Sequence, residues 1–382
     1  MTEERPVQEF SGRKVLVLIS SLQLGGAERQ IVDLANHLAR LGIHVHLGVL
    51  RGNVSELYEL DRRIAVLADL VPRRRRKISR ATAKFAAIVR LLTYVRQNGI
   101  DHVLSSLDEA NVIGSILARV SSRPLTFVAL QVYIFGNVRF TRSIWERFLL
   151  RRTFRRADRV IAVSSLVERS LVAEFGVQRE RIATIGNCLS VRSIAMQSCA
   201  KPEFEVPDGQ FLIFVGRLSA DKRVDLLIQA YAGLLKDVPD LRLLILGEGN
   251  MRAKLEGLVA RLGLDGRVLM PGATANPYPF LKAARALVLC SEAEGFGNVV
   301  LEAITCGTPC VCTGNIGVAV DFPEDGKWIA VVREDGVDAL REGIRRCLDG
   351  MPKWRPGDAD LPFDEDNVMP HLMQVVFGPA RR

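Results

Sequence analysis

Residues 291–303, SEAEGFGNVVLEA, place Glu294 and Glu302 eight positions apart with Gly295, Phe296, Gly297 and Asn298 between them. The apolar run ALVLC at 286–290 predicts a strand and residues 298–306 predict a helix. Residues 291–297 then form the loop at the strand's C-terminal end, with Asn298 as N-cap. Gly295 and Gly297 let main-chain N–H groups face a ligand without side-chain obstruction. The start of a helix adds partial positive charge, which favours a phosphate. A carboxylate beside phosphates is unfavourable unless it accepts hydrogen bonds from neutral donors, and sugar hydroxyls are such donors. The stretch therefore reads as a site for a nucleotide sugar.

A second constellation lies upstream. FLIFVG predicts a strand and runs into GRLSADKRVDLL, so Arg217 and Lys222 sit in the loop at its ligand end. A guanidinium fork plus a lysine point charge suits a diphosphate. Two ordinary surface cations are the competing reading for this stretch alone. LILGEGNMR places Gly247 and Gly249 after the next strand, where bare backbone permits close approach, although it is not a GxGxxG fingerprint.

The elements that must position these residues alternate along the chain. KVLVLIS (14–20), a helix over 26–41 and HVHLGVL (44–50) open the series. A long helix follows near 80–99, then DHVLSS, LTFVAL, RVIAVSS and RIATIG. The polar stretch 191–209 predicts a linker, after which FLIFVG, LRLLILG, RVLMPG, ALVLCS and PCVCT alternate with further helices. Such alternation means parallel sheets covered on both faces, in two doubly wound domains, over 1–190 and 210–358. Ligands of such sheets bind at the C-terminal ends of the strands, so a cleft between the domains is the expected place for them.

With 382 residues, 48% apolar and 25% charged, the chain has the composition of a globular protein. No apolar run is long enough for a membrane span, and the polar, acidic N-terminus predicts no signal peptide. Seven scattered cysteines with no CxxC predict reduced thiols filling the core. His44 and His46 alternate on a strand and flank a sheet rather than bind a metal. These features predict a cytoplasmic protein. The charge of +9 is uneven: residues 1–190 hold 30 Lys and Arg against 17 Asp and Glu, the remainder 22 against 26. The basic half requires a partner or a surface.

EGFGNVVLE resembles the E-x7-E motif of the retaining glycosyltransferases of family 4, which have the GT-B fold of two Rossmann-like domains facing across a cleft. FVGRLSADKRVDLLIQAY, LLILGEGNMRAKLEGLVARLGL, VLMPGATANPYPFLKAARALVLCS and LEAITCGTPCV extend the resemblance in the family's order. SLQLGGAERQIVDLANHLARLGIHVHL is similar to its N-terminal loop and helix. The resemblance implies that Arg217 and Lys222 hold the donor diphosphate, Glu302 the ribose hydroxyls and Glu294 those of the donor sugar. The main chain at Phe296 to Val299 would approach sugar and phosphates, with Gly25 and Gly26 in the flexible loop of the acceptor-binding domain. It implies no metal and no cofactor, only a nucleotide-sugar donor, with a UDP-sugar favoured over GDP-mannose. It also implies a front-face retaining reaction in which the leaving diphosphate oxygen takes the acceptor proton. Residues 359–382 would cross back to the first domain as a helical segment interrupted by Pro370.

Two departures from the family pattern stand out. Gln131 follows the strand LTFVAL where many members carry histidine. In IGVAVDFPEDG, Gly317 and Val318 occupy the family's two glycine positions and Asp321 its acid.

The basic excess is concentrated in PRRRRKISR (72–80) and RFTRSIWERFLLRRTFRRADR (139–159). The second predicts a helix with Phe140, Ile144, Trp145, Phe148 and Leu149 interleaved with seven arginines between Arg139 and Arg156. Two readings stay open. One is an amphipathic helix packed on its own sheet with solvated arginines; the other is contact with an anionic membrane surface. No nucleic-acid recognition motif accompanies the charge.

These features lead to an expected transfer of a hexose or N-acetylhexosamine to a lipid-linked or polysaccharide acceptor in bacterial cell-surface glycan biosynthesis. The enzyme would lie peripherally on the inner face of the cell membrane. A UDP-N-acetylglucosamine 2-epimerase-like isomerase and a non-catalytic nucleotide-sugar-binding subunit are the alternatives.

Overall fold

The computed structural model of the chain describes residues 10–22, 26–54, 59–71, 80–134, 143–322, 327–355 and 361–378. Gly25, the basic run 72–79, and Arg139, Phe140 and Arg142 lie outside these residues. The chain divides into two compact units, Met1–Cys188 with Asp366–Arg382, and Leu189–Glu365.

In the first unit β1 (Lys14–Ser21), α1 (Gly26–Arg40), β2 (His44–Arg51) and β3 (Ala65–Leu67) are followed by α2 (Arg80–Asn98), β4 (His102–Ser106) and α3 (Asp108–Val120). Then come β5 (Thr126–Gln131), α4 (Ile144–Phe154), β6 (Arg159–Ala162), α5 (Ser165–Phe175) and β7 (Ile182–Thr184). The strands form one parallel sheet in the order β3-β2-β1-β4-β5-β6-β7. Val15 to Ile19 have no exposed surface, because helices cover both faces and a strand there must be apolar throughout. His46, on β2, lies 2.9 Å from the Tyr94 hydroxyl and so belongs to the packing beside the sheet.

The second unit runs α6 (Val191–Gln197), β8 (Phe211–Val215), α7 (Val224–Leu234), β9 (Arg242–Leu246), α8 (Arg252–Arg261), β10 (Val268–Gly272) and α9 (Tyr278–Ala283). It continues with β11 (Ala286–Leu289), α10 (Asn298–Thr305), β12 (Cys310–Thr313), α11 (Gly317–Asp321), β13 (Ile329–Val332) and α12 (Val337–Leu348). Its sheet, again parallel, has the order β10-β9-β8-β11-β12-β13. All seven cysteines are free thiols, and Cys290, Cys310, Cys312 and Cys347 are buried in this unit.

Two stretches differ from their sequence reading. Residues 191–209, polar enough to suggest a linker, contain α6 and belong to the second unit. Ser190 caps the helix by accepting from the Ser193 amide. Near the C-terminus α13 (Glu365–Phe377) runs through Pro370 without interruption. Pro370 is the sixth residue of the helix, so the bond to the Asp366 carbonyl is lost, and the buried Val368, Met369, Leu372, Met373 and Val376 hold the helix on either side of it. Phe377 meets the His102 ring at 5.0 Å, and Arg159 donates to the carbonyls of Gln374 and Val375, tying α13 into the first unit.

Candidate functional site

In the second sheet the strand order reverses between β8 and β11, neighbours whose crossovers run in opposite directions. The loops leaving their C-terminal ends therefore diverge and open a crevice. Both chemical constellations of the sequence emerge at this point. Residues 216–223 follow β8 and residues 290–297 follow β11.

The structure brings Lys222 and Glu294 together. Lys222 ends a 3-10 turn over Ala220–Lys222, and its Nζ donates to Glu294 Oε1 at 2.7 Å. The Ser291 hydroxyl donates to the same oxygen, also at 2.7 Å. Each charged side chain keeps about a sixth of its surface exposed, 16% for Lys222 and 17% for Glu294. The pair is thus shielded enough to be oriented, yet open on one side to a ligand. Arg217, on the same loop, is exposed, and its guanidinium forms no ion pair or hydrogen bond among the described residues. Burial pushes the Asp221 carboxyl up, but the Ser219 hydroxyl, its own amide and the charges of Lys222 and Arg217 outweigh this and hold it below its usual value.

Backbone contacts fix the loops. The Glu292 amide donates to Asp221 O, joining the two loops directly at 2.8 Å. The Cys290 thiol reaches the carbonyls of Lys222 and Arg223, and burial pushes it up to about 12, so it stays a protonated donor. Past the strand ends, Glu294 N donates to Asn315 O, Gly317 N to Glu294 O and Val318 N to Phe296 O. Thr313 Oγ1 donates to Ser291 O. The loop that carries Glu294 is therefore a short extension of the sheet.

Glycine is required at two of the predicted positions. Gly297 has φ +97, and a Cβ there would lie 2.8 Å from Ile316 Cγ2. At Gly247 a Cβ would fall 1.8 Å from the Gly216 carbonyl oxygen, so the β8 and β9 loops touch backbone to backbone. Leu218 N to Glu248 O and Met251 N to Leu218 O complete that junction.

Gly297, not Asn298, is the N-cap of α10, and Asn298 is its first helical residue. The left-handed turn that brings the chain from loop to helix needs glycine and excludes asparagine's capping role here. Gly295, Phe296 and Gly297 are buried, whereas Asn298 and Val299 keep partial exposure on the first turn. Glu302 follows one turn on, only 8% exposed. Its charge is felt by the Cys306 thiol, which burial first and Glu302 second push up to about 12. Gly26 opens α1 of the first unit.

Sequence reasoning missed Ser291 and Arg223. Arg223 holds φ +50 and reaches Asp335 at 2.5 Å. An arginine in left-handed backbone has no sequence signature. Ser291 was legible only as part of a loop, because its bond to Glu294 depends on how that loop turns. The departure at 318 has a structural account: Val318 lies in α11, 2% exposed, with Cγ1 about a contact distance from the Gly297 Cβ position. Asp321 is exposed at the end of α11. Gln131 closes β5, fully buried, and its amide donates to Tyr133 O at 2.9 Å.

Two family models meet on this chain. Residues 24–192 match the glycosyltransferase family 4 model, and residues 200–354, which include the whole cluster above, match glycosyl transferases group 1. The chain belongs to family 4 of the glycosyltransferases. Over 344 residues it is 28% identical to the Campylobacter jejuni N-acetylgalactosamine-N,N'-diacetylbacillosaminyl-diphospho-undecaprenol 4-alpha-N-acetylgalactosaminyltransferase, covering 88% of this chain and 90% of that one. The fold is that of the Anabaena HepE protein in complex with UDP (TM-score 0.72, 20% identity, 95% of each chain). It is also that of the lipopolysaccharide outer core galactosyltransferase WaaB (TM-score 0.71, 18% identity, 95% of this chain and 99% of the other). Both sheets and their crossovers are thus those of a GT-B glycosyltransferase.

Proposed function

We propose that this glycosyltransferase moves a hexose or N-acetylhexosamine from a UDP-sugar to a lipid-linked acceptor, with retention of configuration, in bacterial cell-surface glycan assembly. The observation that carries the donor site is the convergence of Lys222, Glu294 and Ser291 at the strand-order reversal, beside the exposed Arg217 and the start of α10. On donor binding, Lys222 Nζ and the Arg217 fork take the diphosphate, and Glu294 turns its oxygens to sugar hydroxyls. The two cations then neutralise charge on the departing diphosphate, work that a divalent ion does in other transferases, so the reaction needs no metal. A diphosphate oxygen receives the acceptor's proton, and no protein nucleophile is required. Glu302 serves the ribose.

The choice of UDP draws support from the UDP held by HepE, and the choice of acceptor from the diphospho-undecaprenol in the Campylobacter relative's name. The first unit is the acceptor-binding one, and its basic surface meets an anionic membrane from the cytoplasmic side. Among the described residues no helix is long and apolar enough to cross a membrane.

The test has two steps. UDP and GDP are compared for the rise each produces in melting temperature, since a ligand of the native state stabilises it. UDP-sugars are then incubated with and without undecaprenyl-diphosphate-linked glycans. A labelled lipid product of unchanged anomeric configuration is expected. A new sugar nucleotide formed without acceptor would replace this reading with an isomerase.

A further inference from the structure

Lys222 owes its direction to the residue that follows it. Among the described residues Arg223 is one of three non-glycine residues with positive φ, and it joins the 3-10 turn Ala220–Lys222 to α7. Its φ of +50 and ψ of 40 lie in the left-handed region, where a Cβ crowds the following carbonyl oxygen and glycine does not. This conformation redirects the chain. On one side of it Lys222 Nζ reaches Glu294, and on the other Val224, Leu227 and Ile228 are buried in the core. Right-handed backbone at 223 would run the turn straight into α7 and carry Lys222 round the helix axis, away from Glu294.

Three contacts hold the strained residue. The Arg223 carbonyl accepts from the Cys290 thiol at 3.2 Å and from the Leu226 amide at 3.0 Å. The guanidinium Nη1 donates to Asp335 Oδ1 at 2.5 Å. Asp335 is itself fixed, because the same oxygen accepts from the Gly336 amide at 3.1 Å. Gly336 is the N-cap of α12, which packs against α7. The ion pair is a poor device for stability: the Asp335 side chain is 75% exposed, and exposed pairs contribute little. Glycine at 223 would relieve the backbone strain with no pair at all. An arginine that strains the chain and then ties itself to an exposed acid serves position, and strain of this kind gathers at functional sites.

We propose that Arg223 is a positioning residue for the donor, whose left-handed backbone, tied down by Asp335 and the Cys290 thiol, aims Lys222 at the diphosphate. The proposal rests on the donor-site reading above and adds to it a residue that acts through Lys222. Arg223 and Asp335 hold the turn, and Lys222 makes the contact. Because Asp335 engages it, the Arg223 guanidinium does not compete with Lys222 for Glu294.

The test is the binding of UDP and of uridine to the full chain by calorimetry, since the ratio of the two affinities isolates the diphosphate contact. Wild type is expected to prefer UDP by about tenfold or more, and Lys222→Ala to lose most of that preference. Arg223→Gly removes strain and tie together, so its melting temperature should equal or exceed wild type while the preference falls about fivefold. Asp335→Asn keeps the partner's shape and should lower the preference about threefold with melting unchanged. Arg223→Lys retains a cation for Asp335 and should restore most of what Arg223→Gly loses. The double variant R223G/D335N should be no weaker than Arg223→Gly, because both changes act through one tie. Uridine should bind all of these proteins alike. The inference is overturned if either Arg223→Gly or Asp335→Asn keeps the wild-type preference while Lys222→Ala loses it, and the donor site then stands without it. It is equally overturned if Arg223→Gly weakens UDP and uridine by the same factor, the mark of a general disturbance of the fold. If wild type binds UDP no better than uridine, or Lys222→Ala keeps the full preference, the donor reading fails and this inference with it.

Discussion

The two units share a parallel doubly wound design but put their chemistry in different places. In the second, the functional groups gather in the loops at the reversal between β8 and β11, held by backbone bonds from four strand ends. In the first, a helix flank carries the unusual chemistry among the described residues, where α4 faces outward with apolar and cationic side chains. A crevice at strand ends shields charges and fixes their geometry, which suits recognition of a small charged ligand. A helix flank offers breadth without enclosure, which suits a surface. The fold supplies both kinds of position, and the sequence decides which one each copy uses.

The sharpest way to break this contrast is Lys222→Ala. Removing the cation beside a developing diphosphate charge should lower kcat by about 10²–10³-fold, measured in single turnover with a UDP-sugar. A variant that kept near-normal turnover would strip the crevice of its special role. Next, Leu150→Ala on the inner face of α4 should cost about 2–5 kcal/mol in urea unfolding, since it opens a cavity in packed surroundings. Gly297→Ala should cost roughly 1–3 kcal/mol, because it strains left-handed backbone and presses on Ile316, with donor binding weakened alongside. Ser291→Ala removes one hydrogen bond to Glu294 and should reduce kcat/KM by about fivefold, near 1 kcal/mol, with little change in melting. The smallest effect is expected for Trp145→Ala, within about 0.5 kcal/mol of wild-type stability, set against Leu150 one turn away. A large loss there would mean that the outer face of α4 serves the fold.

Much of the fold was legible because buried parallel strands are short apolar runs. KVLVLIS became β1 and the pattern near 80–99 became α2, each within a residue or two. Of the candidate site the residue types of Lys222 and Glu294 were legible, whereas the ion pair between them was not. The cap of α10 was misread, since asparagine favours N-cap positions generally while this turn needs the positive φ that Gly297 adopts. The linker was misread for a related reason. Polar composition at 191–209 reports exposure, but α6 forms there on its Ser190 cap. On α4 periodicity alone left two readings open, because apolar residues stand on both sides of the helix.

The sequence by itself determined the alternation of strands and helices, the two sheets, the excess of positive charge and the residue types of the proposed donor site. These follow from local rules, namely hydrophobic period, turn chemistry and charge. Only the tertiary structure decided that Lys222 and Ser291 share one oxygen of Glu294, that Gly247 must meet Gly216, and that four large apolar side chains of α4 stay exposed. Each of these depends on groups brought together from separate elements, and pattern along a chain does not encode which face a neighbouring element will cover.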